Sequence, residues 1–167
     1  MKALVSIIMG STSDLQVMEG AAKVLNELAI PFEMNALSAH RTPEMVEEFA
    51  TSAVGRGIKV IIAGAGMAAR LSGVIAAMTP VPVIGVPIKA SLEGLDALLA
   101  IVQMPPGIPV ATVAINGAQN AGILAAQILA AGDAEIAQKV VLFKENLKSK
   151  IVKANNELAD VKYEFKV

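Results

Sequence analysis

The side chains of this chain best suited to chemistry fall in a few short segments, most of them directly after an apolar run. Gly10-Ser11-Thr12-Ser13-Asp14 supplies three hydroxyls, a carboxylate and a series of backbone N–H groups where a helix begins. Unpaired first-turn N–H groups and the positive end of a helix dipole make such a loop a ready anion site. It is not a Walker loop, because no Gly-Lys-Ser/Thr follows. Ser13 or Asp14 could equally do no more than cap the helix. Ser38-Ala39-His40-Arg41-Thr42-Pro43 carries the single histidine of the chain, next to an arginine. Imidazole is the side chain best suited to moving protons near neutral pH. A guanidinium offers phosphate or carboxylate a planar fork. A lone histidine is more often structural or solvated than catalytic, but its place at a strand end beside such a cation favours the catalytic reading.

Gly64-Ala65-Gly66-Met67-Ala68-Ala69-Arg70-Leu71-Ser72-Gly73 begins as G-x-G-x-x-A. A dinucleotide fingerprint would follow the first strand and have an acid about 20 residues on. Val83-Ile84-Gly85-Val86 offers none. These glycines are better read as letting backbone approach a smaller ligand or a neighbouring helix. Two further segments, Pro87-Ile88-Lys89-Ala90-Ser91 and Asn116-Gly117-Ala118-Gln119-Asn120, also follow apolar runs. Between them Gln103-Met104-Pro105-Pro106-Gly107-Ile108-Pro109 is too proline-dense for a helix. It reads either as a buried crossover or as a rigid wall over a site, one that another subunit could complete.

The elements that must position these segments alternate. Ala3–Met9, Phe32–Leu37, Lys59–Ala63, Pro82–Val86 and Pro109–Ile115 read as strands. Met18, Ala21, Ala22, Leu25 and Leu28 lie on one face of the first helix. Thr42-Pro43-Glu44 is the start of a second, with Thr as N-cap, Pro at the first position and an acid in the first turn. It ends at Gly55 or Gly57. An alanine-rich helix runs to about Met78, and others cover Leu92–Val102 and Asn120–Ala131. A long, more polar helix follows from Ala134 to about Leu158, with Asp133 as its N-cap. Strands alternating with helices predict an α/β fold with a five-stranded parallel sheet covered on both faces. The unbroken apolar character of the strands agrees. No linker or repeat divides residues 1–167, so one domain is expected. In such sheets ligands bind beyond the carboxyl ends of the strands, where the segments above gather.

Composition limits the rest. Lys plus Arg is 14 and Asp plus Glu is 15, a net charge of -1, with no basic run to suit nucleic acid or a polybasic membrane contact. With no cysteine and one histidine, disulfides, zinc–thiolate sites, thiol nucleophiles and an imidazole metal cage are excluded. Apolar residues make up 54% and charged residues 17% of the 167-residue chain, against about 45–50% and about 25% in an ordinary domain. A membrane could cover that excess. However, the charge-free stretch between Asp96 and Asp133 contains Pro105, Pro106 and Pro109, at odds with a spanning helix. Met1-Lys2-Ala3-Leu4 opens directly on a strand-like run without a signal-peptide layout. The expectation is a soluble cytoplasmic homo-oligomer whose subunits cover one another's apolar surface.

Gly10–Asp14, Ser38–Pro43, Ile61-Ile62-Ala63-Gly64-Ala65-Gly66 and Ile101-Val102-Gln103-Met104-Pro105, in that order, resemble the 5-(carboxyamino)imidazole ribonucleotide mutases of purine biosynthesis over nearly the whole chain. The resemblance implies a three-layer flavodoxin-like αβα sandwich that assembles as an octamer. It implies transfer of a carboxylate from the exocyclic nitrogen to the ring carbon of an aminoimidazole ribonucleotide, without metal or organic cofactor. It implies that Ser11, Ser38 and Arg41 hold the nucleotide phosphate, that Asp14 accepts hydrogen bonds from the ribose, and that His40 carries the proton. Ser13 joins the same cradle. Ala65, Gly66 and Leu71 suit a small dry pocket that traps carbon dioxide. The family's commonest third motif is GAGGAAHLPG; here Met67, Arg70 and Ser72 replace Gly, His and Pro. Arg70 is thus expected to tune the site, or else to face solvent or a subunit interface.

The related carboxylase, which takes carbon dioxide directly, is the nearest alternative. It shares Leu-Ser-Gly at this point but has Arg-Ser-Asn earlier, where this chain has Met67-Ala68-Ala69. A flavin electron carrier is disfavoured by 3% aromatics and no Trp. A phospho-receiver is disfavoured because Asp14 is the only acid after the first strand and Ala63 ends the third. A binder without catalysis would be revealed by failure to turn the nucleotide over.

Overall fold

The computed structural model describes residues 1–167 throughout. Five strands, β1 (Val5–Met9), β2 (Phe32–Ala36), β3 (Val60–Gly66), β4 (Val83–Ile88) and β5 (Ala111–Thr112), form one sheet in the order β2-β1-β3-β4-β5. Every pairing is parallel. Six helices connect and flank them: α1 (Leu15–Glu27), α2 (Pro43–Arg56), α3 (Leu71–Met78), α4 (Leu95–Val102), α5 (Ala118–Ala130) and α6 (Ala134–Ala159). This is the expected flavodoxin-like three-layer sandwich with a long last helix.

Side-chain alternation along the central strands separates two cores. Val5, Ile7 and Met9 of β1, Val60 and Ile62 of β3, and Ile84, Val86 and Ile88 of β4 pack against α1, α5 and the first turns of α6. On the other face Ile8, Ile61, Ala63, Ala65 and Val83 pack against α2, α3 and α4. Both faces of these strands are dry, which accounts for their apolar runs, broken only by buried Ser6; the edge strand β2, Phe-Glu-Met-Asn-Ala, is half-exposed and does not share the pattern. α1 and α5 approach backbone to backbone: a Cβ on Gly122 would lie 3.0 Å from the Ala21 carbonyl oxygen. α2 carries Pro43 in its first turn and ends at Gly57, whose φ of 90° few other residues adopt. Asp133 caps α6, accepting from the N–H groups of Glu135 and Ile136 at 3.0 and 3.1 Å.

Four expectations of element bounds shift. The helix read from Leu92 begins only at Leu95, because Leu92, Glu93 and Gly94 take positive φ and form a separate turn. β3 runs on to Gly66, so the first glycines of that segment belong to the strand, and α3 begins only at Leu71. β4 likewise continues to Ile88. β5 shrinks to two residues. Carbonyls of Gly85 and Pro87 accept from Val113 and Asn116, so these two β4 residues face β5. Pro87 has no N–H to return, and the ladder stops. The segment 103–109 is not a buried crossover: Pro105, Pro106 and Pro109 are exposed.

Candidate active site

The chain leaves β1 for β2 on one side and reaches β3 on the other, so the loops after β1 and β3 diverge and leave a crevice. A cleft of ≈ 400 Å³ occupies this position. Ser11, Ser13 and Asp14 line it from the β1 end, Ser38, His40 and Arg41 from the β2 end, and Ala65, Gly66, Arg70 and Leu71 from β3 and its loop. Every site residue expected from sequence therefore faces one space.

The β1 loop is held by its own groups. Ser11 is extended (φ -158°) and its Oγ accepts from the Ser13 N–H at 3.3 Å, while the Asp14 N–H donates to the Ser11 carbonyl at 3.1 Å. The cap is thus Ser11, rather than Ser13 or Asp14, and the Asp14 carboxylate stays available to the cleft. Burial pushes the Asp14 carboxyl above its ordinary value, partly offset by hydrogen bonding from the Ser11 backbone and the Ser13 side chain.

The β2 loop is wound around Ser38. Its Oγ accepts from the N–H groups of His40 and Arg41 at 3.3 and 3.2 Å and lies 3.5 Å from Arg41 Nε. Thr42 Oγ1 accepts from the Ser38 N–H at 2.9 Å and donates to the Ser38 carbonyl at 3.1 Å. The threonine at the N-cap position of α2 therefore closes the loop instead of capping the helix. Arg41 Nη2 donates to the Gly10 carbonyl at 3.1 Å, tying the two loops together across the cleft mouth. Arg41 is anchored before any ligand arrives, and the His40 imidazole beside it is exposed and makes no hydrogen bond within the chain.

The β3 side is small and apolar. Ala65 and Leu71 are 8% and 2% exposed and close the floor. Gly66 lets the end of β4 come in: a Cβ there would lie 3.2 Å from the Ala90 Cβ and from the Ile88 carbonyl oxygen. Met67 takes a left-handed φ of 55°, a conformation better suited to the glycine of the common motif. Sequence reasoning missed Gly10, Thr42 and Ala90. The first acts through its carbonyl, which leaves no side-chain signal; the second uses its hydroxyl to close a loop, where its place before Pro43 signals a helix cap; Ala90 enters only because Gly66 admits it. No three His, Cys, Asp or Glu side chains come together to hold a metal ion.

The cleft thus offers two guanidinium groups and an imidazole against one carboxylate, over a floor of small residues. The family model described as AIR carboxylase matches residues 4–150. The chain belongs to that family. The N5-carboxyaminoimidazole ribonucleotide mutase of Pyrococcus abyssi is 60% identical over 145 residues, 86% of this chain and 83% of that protein. That of Thermotoga maritima is 56% identical over 95% of this chain and 94% of its own length. The phosphoribosylaminoimidazole carboxylase of Saccharomyces cerevisiae is 52% identical over 98% of this chain, which spans only 29% of that longer protein. Among solved structures, Treponema denticola PurE superposes with a TM-score of 0.85 at 32% identity, covering 94% of this chain and 99% of its own.

Proposed function

We propose that this family member is an N5-carboxyaminoimidazole ribonucleotide mutase of purine biosynthesis, an isomerase with His40 as its proton carrier. One observation carries the reading: His40 and an anchored Arg41 face the Ala65–Gly66 floor across a single cleft, in a chain 60% identical to a mutase over 145 residues. The anion end of the cleft suits the nucleotide phosphate, with Arg41, Ser38 and Ser11 as donors. Asp14 faces the same cleft as an acceptor for the ribose hydroxyls.

The chemistry then needs few groups. The bond between the exocyclic nitrogen and the carboxylate carbon breaks, its electron pair stays on nitrogen, and carbon dioxide is released into the pocket. His40 gives that nitrogen a proton. The electron-rich ring carbon forms a bond to the trapped carbon dioxide, and His40 recovers a proton as the ring carbon loses its hydrogen. Atoms and charge balance, and the imidazole ends as it began. Holding the gas and ring together supplies the effective concentration. A floor of Ala65, Gly66 and Leu71 offers carbon dioxide little hydrogen-bonding competition.

Residues 1–167 act as one domain, in the cytoplasm, as part of a homo-octamer. The assembly is supported by apolar residues left uncovered on the single chain. Leu95, Leu99 and Val102 of α4 form one exposed row at 48–52%, and Leu92 in the turn before it is 76% exposed. On α6, Ile136, Val140 and Phe143 are docked, but Leu147 and Ile151 of the same stripe are 42% and 72% exposed. No helix is long and apolar enough to cross a membrane. Steady-state turnover of the N-carboxylated nucleotide, following the ring-carboxylated product, tests the activity. Product formed only from the uncarboxylated nucleotide plus bicarbonate would make the chain a carboxylase instead. Light scattering tests the assembly: a monodisperse monomer contradicts it.

A further inference from the structure

We infer that Arg70 is the carboxylate-binding residue of the cleft, gripping the migrating carboxylate while Arg41 grips the phosphate; the inference rests on the substrate class proposed above. The two arginines that line the cleft differ in their partners. Arg41 is committed to the β1 and β2 loops through Gly10 and Ser38. Arg70 lines the opposite, β3 side, is exposed, and its side chain makes neither an ion pair nor a hydrogen bond within the chain. Lys89, beside the cleft residue Ala90, does not share this condition, since it pairs with Glu93.

Its local setting gives Arg70 no structural reason to be cationic. It occupies the N-cap position of α3 without a side-chain cap bond. A positive charge there opposes the helix dipole, and short acceptors such as Asp, Asn and Ser are what that position favours. The only acid lining the cleft, Asp14, belongs to the β1 loop and is not ion-paired with Arg70. A residue that local electrostatics disfavours, held unpaired against a cavity, is the kind of conflict found where a ligand supplies the missing partner. The substrate carries two anions. The phosphate suits the preformed Arg41–Ser38–Ser11 cradle, which leaves the carboxylate as the anion for Arg70. A guanidinium fork matches a carboxylate in plane, and can hold it by two hydrogen bonds on the nitrogen before carbon dioxide is released and on the ring carbon after it is recaptured.

The test uses the full chain and two probes: the ring-carboxylated product nucleotide and the same nucleotide without its carboxylate. Calorimetry on wild type, Arg70→Ala, Arg70→Lys and Arg41→Ala separates the two anion sites. Arg70→Ala should weaken the carboxylated ligand about 10- to 100-fold and leave the uncarboxylated one nearly unchanged. Arg70→Lys should fall between, keeping charge but losing the fork. Arg41→Ala should weaken both ligands alike. Equal effects of Arg70→Ala on the two ligands, or none on either, overturn the inference while leaving the mutase reading intact. A wild-type chain that binds both nucleotides but does not interconvert the carboxylated isomers overturns the mutase reading alone, and one that binds neither overturns both.

Discussion

Deleting the Ser38 hydroxyl and the Arg41 guanidinium, singly and together, probes how the phosphate end of the cleft is built. A hydrogen bond to a charged group contributes about 1.5–3 kcal/mol. Arg41→Ala should therefore raise KM for the nucleotide about 10- to 100-fold. The phosphate is remote from the reacting atoms and is gripped equally in ground and transition states, so kcat should change little. Ser38 acts partly through Arg41. Its Oγ lies 3.5 Å from Arg41 Nε and accepts the His40 and Arg41 backbone N–H groups at 3.3 and 3.2 Å. Water can replace this acceptor on an exposed loop, so each bond counts at the neutral value of about 0.5–1.5 kcal/mol. With the Ser38 hydroxyl's own hydrogen bond to the phosphate also lost, Ser38→Ala should raise KM by roughly 10- to 100-fold. Because the Nε contact disappears once Arg41 is gone, the double variant should be better than additive by about 0.5–1 kcal/mol. Initial rates over a range of nucleotide concentrations, with product-binding calorimetry as a second readout, measure all four corners of the cycle. A fall in kcat at constant KM, or strict additivity, would refute the argument that Ser38 positions Arg41 for the phosphate.

Gly85→Ala should destabilise the fold by about 1–3 kcal/mol, the usual cost of overpacking, because its Cβ would lie 2.4 Å from Ile101 Cγ2 and 3.0 Å from Val110 Cγ1, both on stiff β-branched side chains; an unchanged urea midpoint would show that α4 yields freely. Glu33 is pushed up by burial, but hydrogen bonds from Arg56 and Ser6, the Arg56 charge and the Asn35 amide outweigh this, and its carboxyl sits below the ordinary 4.5. A lowered folded value means stability that is complete above the unfolded pKa and is lost as pH falls through the folded one. Glu33→Gln should therefore flatten the stability–pH slope below pH 4.5, measured by urea unfolding across the acid range. Asp14, shifted upward, has the opposite sign, so the comparison is between variant and parent at each pH.

Much of this architecture is legible because burial and periodicity coincide. Strands that are dry on both faces must be almost wholly apolar, and β1, β3 and β4 are, with buried Ser6 of β1 satisfied by its hydrogen bond to Glu33. The cleft was legible through Ser11, Asp14, Ser38, His40 and Arg41, since polar side chains immediately after such strands have only the sheet's carboxyl edge to occupy. The hidden parts depend on backbone. Nothing in the identity of Gly10 reveals that its carbonyl anchors Arg41, and nothing in Thr42 distinguishes capping a helix from closing the Ser38 loop. β5 reads as seven residues from its apolar run but keeps two, and a missing N–H at Pro87, on the neighbouring strand, ends it on the carboxyl side. Ser72 shows the same limit: nothing in its identity reveals that its Oγ is buried without a hydrogen-bond partner.

The central claim is that one imidazole moves the proton between nitrogen and carbon, and the kcat of His40→Asn on the N-carboxylated nucleotide tests it most directly. Asparagine keeps size and polarity but cannot exchange a proton near neutral pH. Since no imidazole hydrogen bond within the chain is lost, folding and nucleotide affinity should persist. The account predicts a fall in kcat of about 10²- to 10⁴-fold with product-binding affinity within a few-fold of wild type. A variant retaining more than about a third of the wild-type kcat would contradict it, because general acid–base groups contribute far more than that.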